Sequence, residues 1–398
     1  MREVIVAGVG VHSFGKFIDK SLKELGRVAV KSALDDAGLS AKDIQVAYFG
    51  NAYGGLITGQ ESVRGQTVFL YSGISGIPVI NVENACASGS SAFREAWLSV
   101  ASGQYDVALA LGAEKLYCDN TPKTMAAIAT SSDLEVVSDT GWSFPVNYAL
   151  NIRLYMKEYG ATREHFAKVV VKNTKNGALN PHAQFHKPLT MEEVLNSREV
   201  CYPLTLYMCS AIGDGAAAAI LCSQEVAKKY TKKPMVTVAA SALVSAAFRN
   251  EPKKPSVQGS AGQRAANLAY EQAGIGPNDL DVVEIHDAFS PAELQAYEEI
   301  GLCGDGEGMR LIEEGKTEIG GEIPVNTSGG LASKGHPVGA TGLAQIAEVV
   351  WQLRGEAGPR QVEGRNKRRG PVLGLTHNGG GTLENDAAAM AVHILKRI

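Results

Sequence analysis

The chain repeats itself, and that constrains its fold more than any other feature. Ala29-Val30-Lys31-Ser32-Ala33-Leu34-Asp35-Asp36-Ala37-Gly38-Leu39, followed by Asp43-Ile44-Gln45-Val46, has a partner in Ala265-Ala266-Asn267-Leu268-Ala269-Tyr270-Glu271-Gln272-Ala273-Gly274-Ile275, followed by Asp279-Leu280-Asp281-Val282. Each copy reads as an amphipathic helix closed by Ala-Gly, a short turn and an apolar strand. The strand ends then align, Gly50-Asn51-Ala52 with His286-Asp287-Ala288. Pro78-Val79-Ile80-Asn81 leads to Cys86-Ala87-Ser88-Gly89 as Pro324-Val325-Asn326 leads to His336-Pro337-Val338-Gly339, and a helix rich in small residues follows both. Leu109-Ala110-Leu111-Gly112 matches Leu373-Gly374-Leu375-Thr376. The repeat predicts an α/β protein of two duplicated halves, 1–232 and 233–398, whose apolar strands are of the kind buried on both faces.

Between the matched blocks, residues 115–200 have no repeat partner and are richer in Asn, Thr, His, Lys and Tyr. Such an insertion either carries substrate contacts or covers a structural face. The run Ala216-Ala217-Ala218-Ala219-Ile220-Leu221 reads as a buried strand closing the first half. With 398 residues, 45% of them hydrophobic, the chain has ample material for a large core and needs no disulfide or metal staple.

The charge balance, 38 Lys+Arg against 42 Asp+Glu, gives no bulk attraction for nucleic acid or an anionic membrane. Small molecules or proteins are the expected partners. The six cysteines form no Cys-x-x-Cys pair and no zinc-finger spacing, so reduced thiols in a cytoplasmic protein are expected. Met1 to Gly10 reads as a strand running into a glycine turn rather than a secretory signal, and no apolar run approaches the length of a membrane span.

Four positions carry chemistry. Cys86 follows an apolar strand, Ile77 to Val82, and precedes a helix in which Ala92, Phe93, Ala96 and Val100 recur at helical spacing. A sulfur at a helix N-terminus meets unpaired N–H groups and the positive end of the dipole, which predicts a lowered thiol pKa. From position alone, a cysteine among small residues is more often a core filler. His336 decides between the two, because its turn is the repeat equivalent of the Cys86 turn, and pseudo-twofold packing would bring the two together. An imidazole that takes the thiol proton makes a nucleophile, and its N–H can then hold an oxyanion. His286 stands at the end of strand Val282–Ile285, where open α/β sheets gather ligands. His377 opens Thr376-His377-Asn378-Gly379-Gly380-Gly381, whose glycines let backbone N–H groups face a bound oxygen.

These motifs closely resemble those of the thiolase superfamily: Asn84-Ala85-Cys86-Ala87-Ser88-Gly89, His286-Asp287-Ala288-Phe289, Gly335-His336-Pro337-Val338-Gly339-Ala340-Thr341-Gly342 and His377-Asn378-Gly379-Gly380-Gly381, in family order across both halves. The His-Asp-Ala-Phe form resembles the branch of sterol-carrier-protein thiolases and archaeal acetyl-CoA acetyltransferases. The resemblance implies a thiolase-like fold of five layers, α/β/α/β/α, a homodimer or dimer of dimers, and acyl-CoA substrates with coenzyme A as co-substrate and no tightly bound cofactor. It implies that Cys86 accepts the acyl group, that His336 activates it, that His286 serves the oxyanion, and that the N–H groups of Cys86 and Gly379 form a second oxyanion hole. It also makes a small zinc-ribbon/OB-fold acyl-CoA-binding subunit an expected partner.

One departure matters. Where most thiolases carry a second cysteine as acid/base, this chain has His377, and the cysteine that sterol-carrier relatives often place in the His-Asp-Cys-Phe loop is Ala288. An imidazole suits the α-proton transfer near neutral pH, so His377 is assigned that role. The same departure keeps open a decarboxylating β-ketoacyl-synthase-like enzyme, which needs no such base, and a non-catalytic acyl-CoA-binding or scaffold subunit. Weaker signals are Gly8-x-Gly10, read as a strand-end turn, the basic stretches Lys228–Lys233 and Arg365–Arg369, read as solvated loops, and His182 and His186, which line a channel or lie on the surface.

Overall fold

The computed structural model describes residues 1–248, 255–365, 370–384 and 386–398. Its strands are β1 (Val4–Gly15), β2 (Val46–Gly50), β3 (Val79–Val82), β4 (Val107–Glu114), β5 (Glu199–Cys201), β6 (Leu204–Thr205), β7 (Asp214–Ser223), β8 (Val236–Ser245), β9 (Val282–Glu284), β10 (Leu373–Leu383) and β11 (Asp386–Arg397). β5 and β6 form a small hairpin, and the others run in the order β3-β2-β4-β7-β1-β8-β11-β10-β9.

The duplication is legible in that order. β2 pairs in parallel with β3 and β4, β4 is antiparallel to β7, and β7 to β1. Likewise β9 pairs in parallel with β10 and, through Val283 opposite Val325, with the chain before Asn326; β10 is antiparallel to β11, and β11 to β8. The two sets meet where Ile5 lies opposite Thr237. The repeated helices Leu22–Ala37 and Ala261–Ala273 are capped alike, by the side chains of Ser21 and Ser260, and end at Gly38 and Gly274 with φ of 68° and 65°.

Helices Ser88–Ala101 and Thr341–Arg354 pack on each other and on strands of both halves. Phe93, Ala96 and Val100 of one and Leu343, Ile346 and Val350 of the other share a fully buried core. Helix Leu22–Ala37 covers the outer face of the first strand set and Ala261–Ala273 that of the second, which completes the expected α/β/α/β/α layering. A helix enclosed on both sides must satisfy its polar groups internally. Glu348 accordingly pairs with Arg360 at 2.8 Å, and Arg354 with Asp36 at 2.8 Å and the carbonyls of Val6 and Ala7.

Two expectations need correction, the turn at Gly8-x-Gly10 and the solvated loops of the basic stretches. No turn occurs at Gly8-x-Gly10: β1 continues to Gly15, and the missing side chains let helix Leu22–Ala37 approach, since a Cβ at Gly10 would stand 2.3 Å from Ala29 O. The helices of the segment after β4, Phe144–Tyr159 and Arg163–Ala178, bury Ile152, Tyr155 and Phe166 in the same core as Leu294 and Tyr297 of the second half. Of the basic stretches, Lys228 and Lys229 end a helix, Gln224–Tyr230, and Lys233 is ion-paired to Asp36 and Glu356. Arg365 is held by Asp281 and Leu280, while residues 366–369 lie outside the described residues. Among the described residues, no helix is long and apolar enough to cross a membrane.

Candidate active site

The site forms where the two repeated turns touch. After β3 the chain makes a sharp bend at Ala85, whose φ of 46° is a left-handed conformation that costs a non-glycine residue about 1 kcal/mol or more. One turn, Ala85–Ala87, then presents Cys86 at the start of helix Ser88–Ala101. The opposing turn comes within backbone contact because Gly339 and Gly112 carry no side chain: a Cβ at Gly112 would lie 2.2 Å from Gly339 O. Glu114 fastens this crossing, accepting from the N–H groups of Ala52, Tyr53 and Gly339 at 2.9–3.1 Å and from the Asn51 amide at 2.9 Å. Its burial raises its pKa to about 7.

The sulfur of Cys86 and one ring nitrogen each of His286 and His336 lie within 4.8 Å of one another. The two imidazoles meet edge to face, with centroids 5.1 Å apart. All three residues border a cavity of about 630 Å³, together with His377 and Gly379. Aromatic walls come from Tyr148 and Phe289, whose rings pack 4.3 Å apart. Every site residue expected from sequence therefore reaches one cavity. His182 and His186 are not among its lining residues; His182 stacks on Trp351 at 5.5 Å.

Hydrogen bonds fix the proton positions on the facing histidines. Thr341 Oγ1 donates to Pro337 O at 3.2 Å, so it can only accept from His336 Nδ1–H, 2.7 Å away. That leaves Nε2 of His336 as an unprotonated base. His286 has the opposite tautomer: the Asn378 amide, itself 2.9 Å from Ser90 Oγ through its oxygen, donates to His286 Nδ1 at 3.0 Å. His286 then presents Nε2–H, a donor.

Electrostatics overturn the expected thiolate. Burial raises the Cys86 thiol to about 12; the N–H groups of Gly381 and Cys86 itself pull it down, but Glu114 and Glu83 add negative charge nearby. The helix N-terminus does not outweigh this desolvation. His336 is lowered to about 3, by burial and then by the Lys334 ammonium, and His286 well below its usual value by burial and by the neighbouring His336. The resting pair is thus a neutral thiol facing a neutral imidazole.

β10 sends its alternate side chains to different neighbours, Asn378 toward Ser90 and His286, and His377 toward Glu299 at 3.1 Å. Sequence reasoning missed the supporting residues Asn378, Thr341, Ser90, Glu114 and Glu299. Asn378 and Thr341 stand inside the motifs named above, and strand alternation next to His377 was the available signal for Asn378. Glu114 and Glu299 stand in no motif, and their partners are distant in sequence.

Comparison with known proteins agrees with this geometry. The chain matches the families described as "Thiolase, N-terminal domain" over residues 4–225 and "Thiolase C-terminal domain-like" over residues 246–397. It is 45% identical to the acetyl-CoA acetyltransferase of Methanothermobacter thermautotrophicus, over 100% of both chains. It is 38% identical to sterol carrier protein 2 of Bos taurus, covering 95% of this chain and 70% of that protein. Among solved structures, the Ltp2-ChsH2(DUF35) aldolase superposes with a TM-score of 0.80 at 26% identity, covering 99% of this chain and 98% of that one. The chain belongs to the thiolase family, in the branch of the archaeal acetyl-CoA acetyltransferases and sterol carrier protein 2, and is an acyl-CoA acyltransferase.

Proposed function

We propose that the chain cleaves a 3-oxoacyl-CoA with coenzyme A, or runs the reverse Claisen condensation, through an acyl-Cys86 intermediate. The observation that carries this reading is the convergence of the Cys86 sulfur with a basic nitrogen on His336 and a donor N–H on His286. In the cleavage direction His336 Nε2 takes the thiol proton as the sulfur attacks the 3-keto carbon. His286 Nε2–H faces the oxygen that becomes negative. The Cα–Cβ bond breaks, its electron pair passes to the enolate of the departing acetyl-CoA, and His377 supplies the proton at Cα. The coenzyme A thiol then gives its proton to His377 as its sulfur attacks the acyl carbon, and the Cys86 sulfur leaves and takes its proton back from His336. The N–H groups of Cys86 and Gly379 serve the thioester oxygen.

Neutral resting groups fit this sequence, because the proton leaves the thiol only as the new bond forms. The presence of His377 beside the trio favours thiolysis over decarboxylative condensation, which needs no group at that position. The assay offers the protein a malonyl-thioester and, separately, a 3-oxoacyl-CoA with coenzyme A. Consumption of the second with ping-pong kinetics is expected; carbon dioxide release from the first would reverse the reading.

The Asn378 amide is what holds His286 in its donor tautomer, and replacing it is expected to show. In Asn378→Asp the carboxylate accepts from His286 Nδ1–H, so a neutral ring turns its bare Nε2 toward the substrate oxygen. Loss of one oxyanion donor is expected to lower kcat/KM for thiolysis about 100-fold, the deficit growing as pH rises and the ring is neutral. Equal activity across pH 6–9 would remove His286 Nε2–H from this role.

In assembly, the reading extends to a homodimer or dimer of dimers of the 1–232 and 233–398 halves. It extends also to a small zinc-ribbon/OB-fold acyl-CoA-binding partner; the similar solved aldolase, Ltp2-ChsH2(DUF35), likewise pairs two components.

A further inference from the structure

The helix that follows the His286 loop carries a second charged group to the same cavity. Helix Ser290–Glu299 begins directly after His286-Asp287-Ala288-Phe289, and its last residue, Glu299, borders the cavity beside His377. A carboxylate oxygen of Glu299 lies 3.1 Å from His377 Nε2. Space for that carboxylate is left by Gly262, where a Cβ would stand 2.1 Å from Glu299 Oε2. An ionised carboxylate only accepts, so Nε2 must carry a hydrogen and Nδ1 is the ring atom left for chemistry. His377 is 2% exposed, and its Nδ1 is buried without a hydrogen-bond partner. A buried polar atom with no partner is uncommon and calls for an account, of which a role in proton transfer is one.

We propose that Glu299 is the positioning residue of a His377–Glu299 dyad that moves the α-proton of acyl-CoA substrates. This rests on the reading of His377 as the acid/base. In the condensation direction the Cα–H bond breaks, the proton passes to His377 Nδ1, and the electron pair becomes the enolate. In cleavage the ring enters as the imidazolium, charged by the proton of the coenzyme A thiol used in the preceding turnover, and Nδ1–H gives that proton to Cα as the Cα–Cβ pair arrives there. The hydrogen on Nε2 stays between the ring and Glu299 throughout. Glu299 therefore fixes the ring against rotation and balances the imidazolium formed midway, a carboxylate–histidine arrangement that takes the place of a second cysteine.

The test separates two partial reactions of the full chain. Acetylation of Cys86 by acetyl-CoA is followed by intact mass after rapid quench, and proton transfer by solvent deuterium entering the acetyl methyl of acetyl-CoA. In Glu299→Gln and Glu299→Ala, exchange is expected to slow about 10- to 100-fold while acetylation changes by less than about threefold. Formate, a small carboxylate that fits the space vacated in Glu299→Ala, is expected to restore exchange in that variant. If exchange and acetylation fall together, or formate restores nothing, Glu299 only packs the site and the proposal fails. Normal exchange in both Glu299 variants with lost exchange in His377→Ala would overturn the dyad but keep His377. Normal exchange in all three would overturn both.

Discussion

Replacing Cys86 with serine is expected to lower thiolysis by at least about 10,000-fold and to leave the chain without an acyl adduct in intact-mass analysis after exposure to acyl-CoA. The physical reason lies in the neutral resting pair. Burial holds the thiol near 12 and His336 near 3, so no reservoir of thiolate exists for attack. Reaction depends on a polarizable sulfur that forms its bond while giving up its proton, and an alkoxide in the same dry site would be harder still to generate. The wild-type protein offers a second readout. Alkylation of Cys86 by iodoacetamide should keep rising with pH through the alkaline range, because the thiol titrates only near 12. A rate that levels off below about pH 7 would reveal a preformed thiolate–imidazolium pair and refute the neutral one, and an adduct that survives Cys86→Ser would refute the nucleophile.

Gly339→Ala is expected to damage both stability and activity, because the added methyl group falls at the crossing of the two catalytic turns. The added Cβ would stand 2.8 Å from both Ala113 O and Gly50 O and 3.0 Å from Asn51 Cα, all backbone atoms at strand ends that cannot swing aside. Overpacking of this kind costs about 1–3 kcal/mol or more. The strain falls where the Cys86 and His336 turns cross and where Glu114 grips Gly339 N–H. A displacement of about 1 Å there is expected to lower kcat/KM about 100-fold. The control is Gly276→Ala, where the nearest atom is 4.0 Å away, with stability within about 0.5 kcal/mol of the parent. A thermal midpoint and activity at parental level in Gly339→Ala would show that the halves have slack at this seam.

Much of the site was legible because the repeat aligns its turns. Cys86 and His336 sit at equivalent positions of two copies, and packing helix Ser88–Ala101 against helix Thr341–Arg354 brings those positions together. His286 and His377 follow from strand ends in the same alignment. The error at Gly8-x-Gly10 arose because a glycine pair signals a turn as readily as a close helix contact, and only the packed helix tells which applies. In the segment after β4, polar composition conceals Ile152, Tyr155 and Phe166, which find their apolar surroundings in the other half.

The amino-acid order by itself determined the duplicated α/β architecture and which side chains meet at the cavity, since strand period, helix caps and motif chemistry are local properties. What only the tertiary structure decided is the state of those side chains. Burial makes the Cys86–His336 pair neutral, Thr341 and Asn378 give the two facing histidines opposite tautomers, and Glu299 occupies one nitrogen of His377 and frees the other. Protonation and tautomer depend on desolvation and on partners brought in from elsewhere in the chain, such as Asn378, 92 residues from His286, and sequence spacing alone does not specify them.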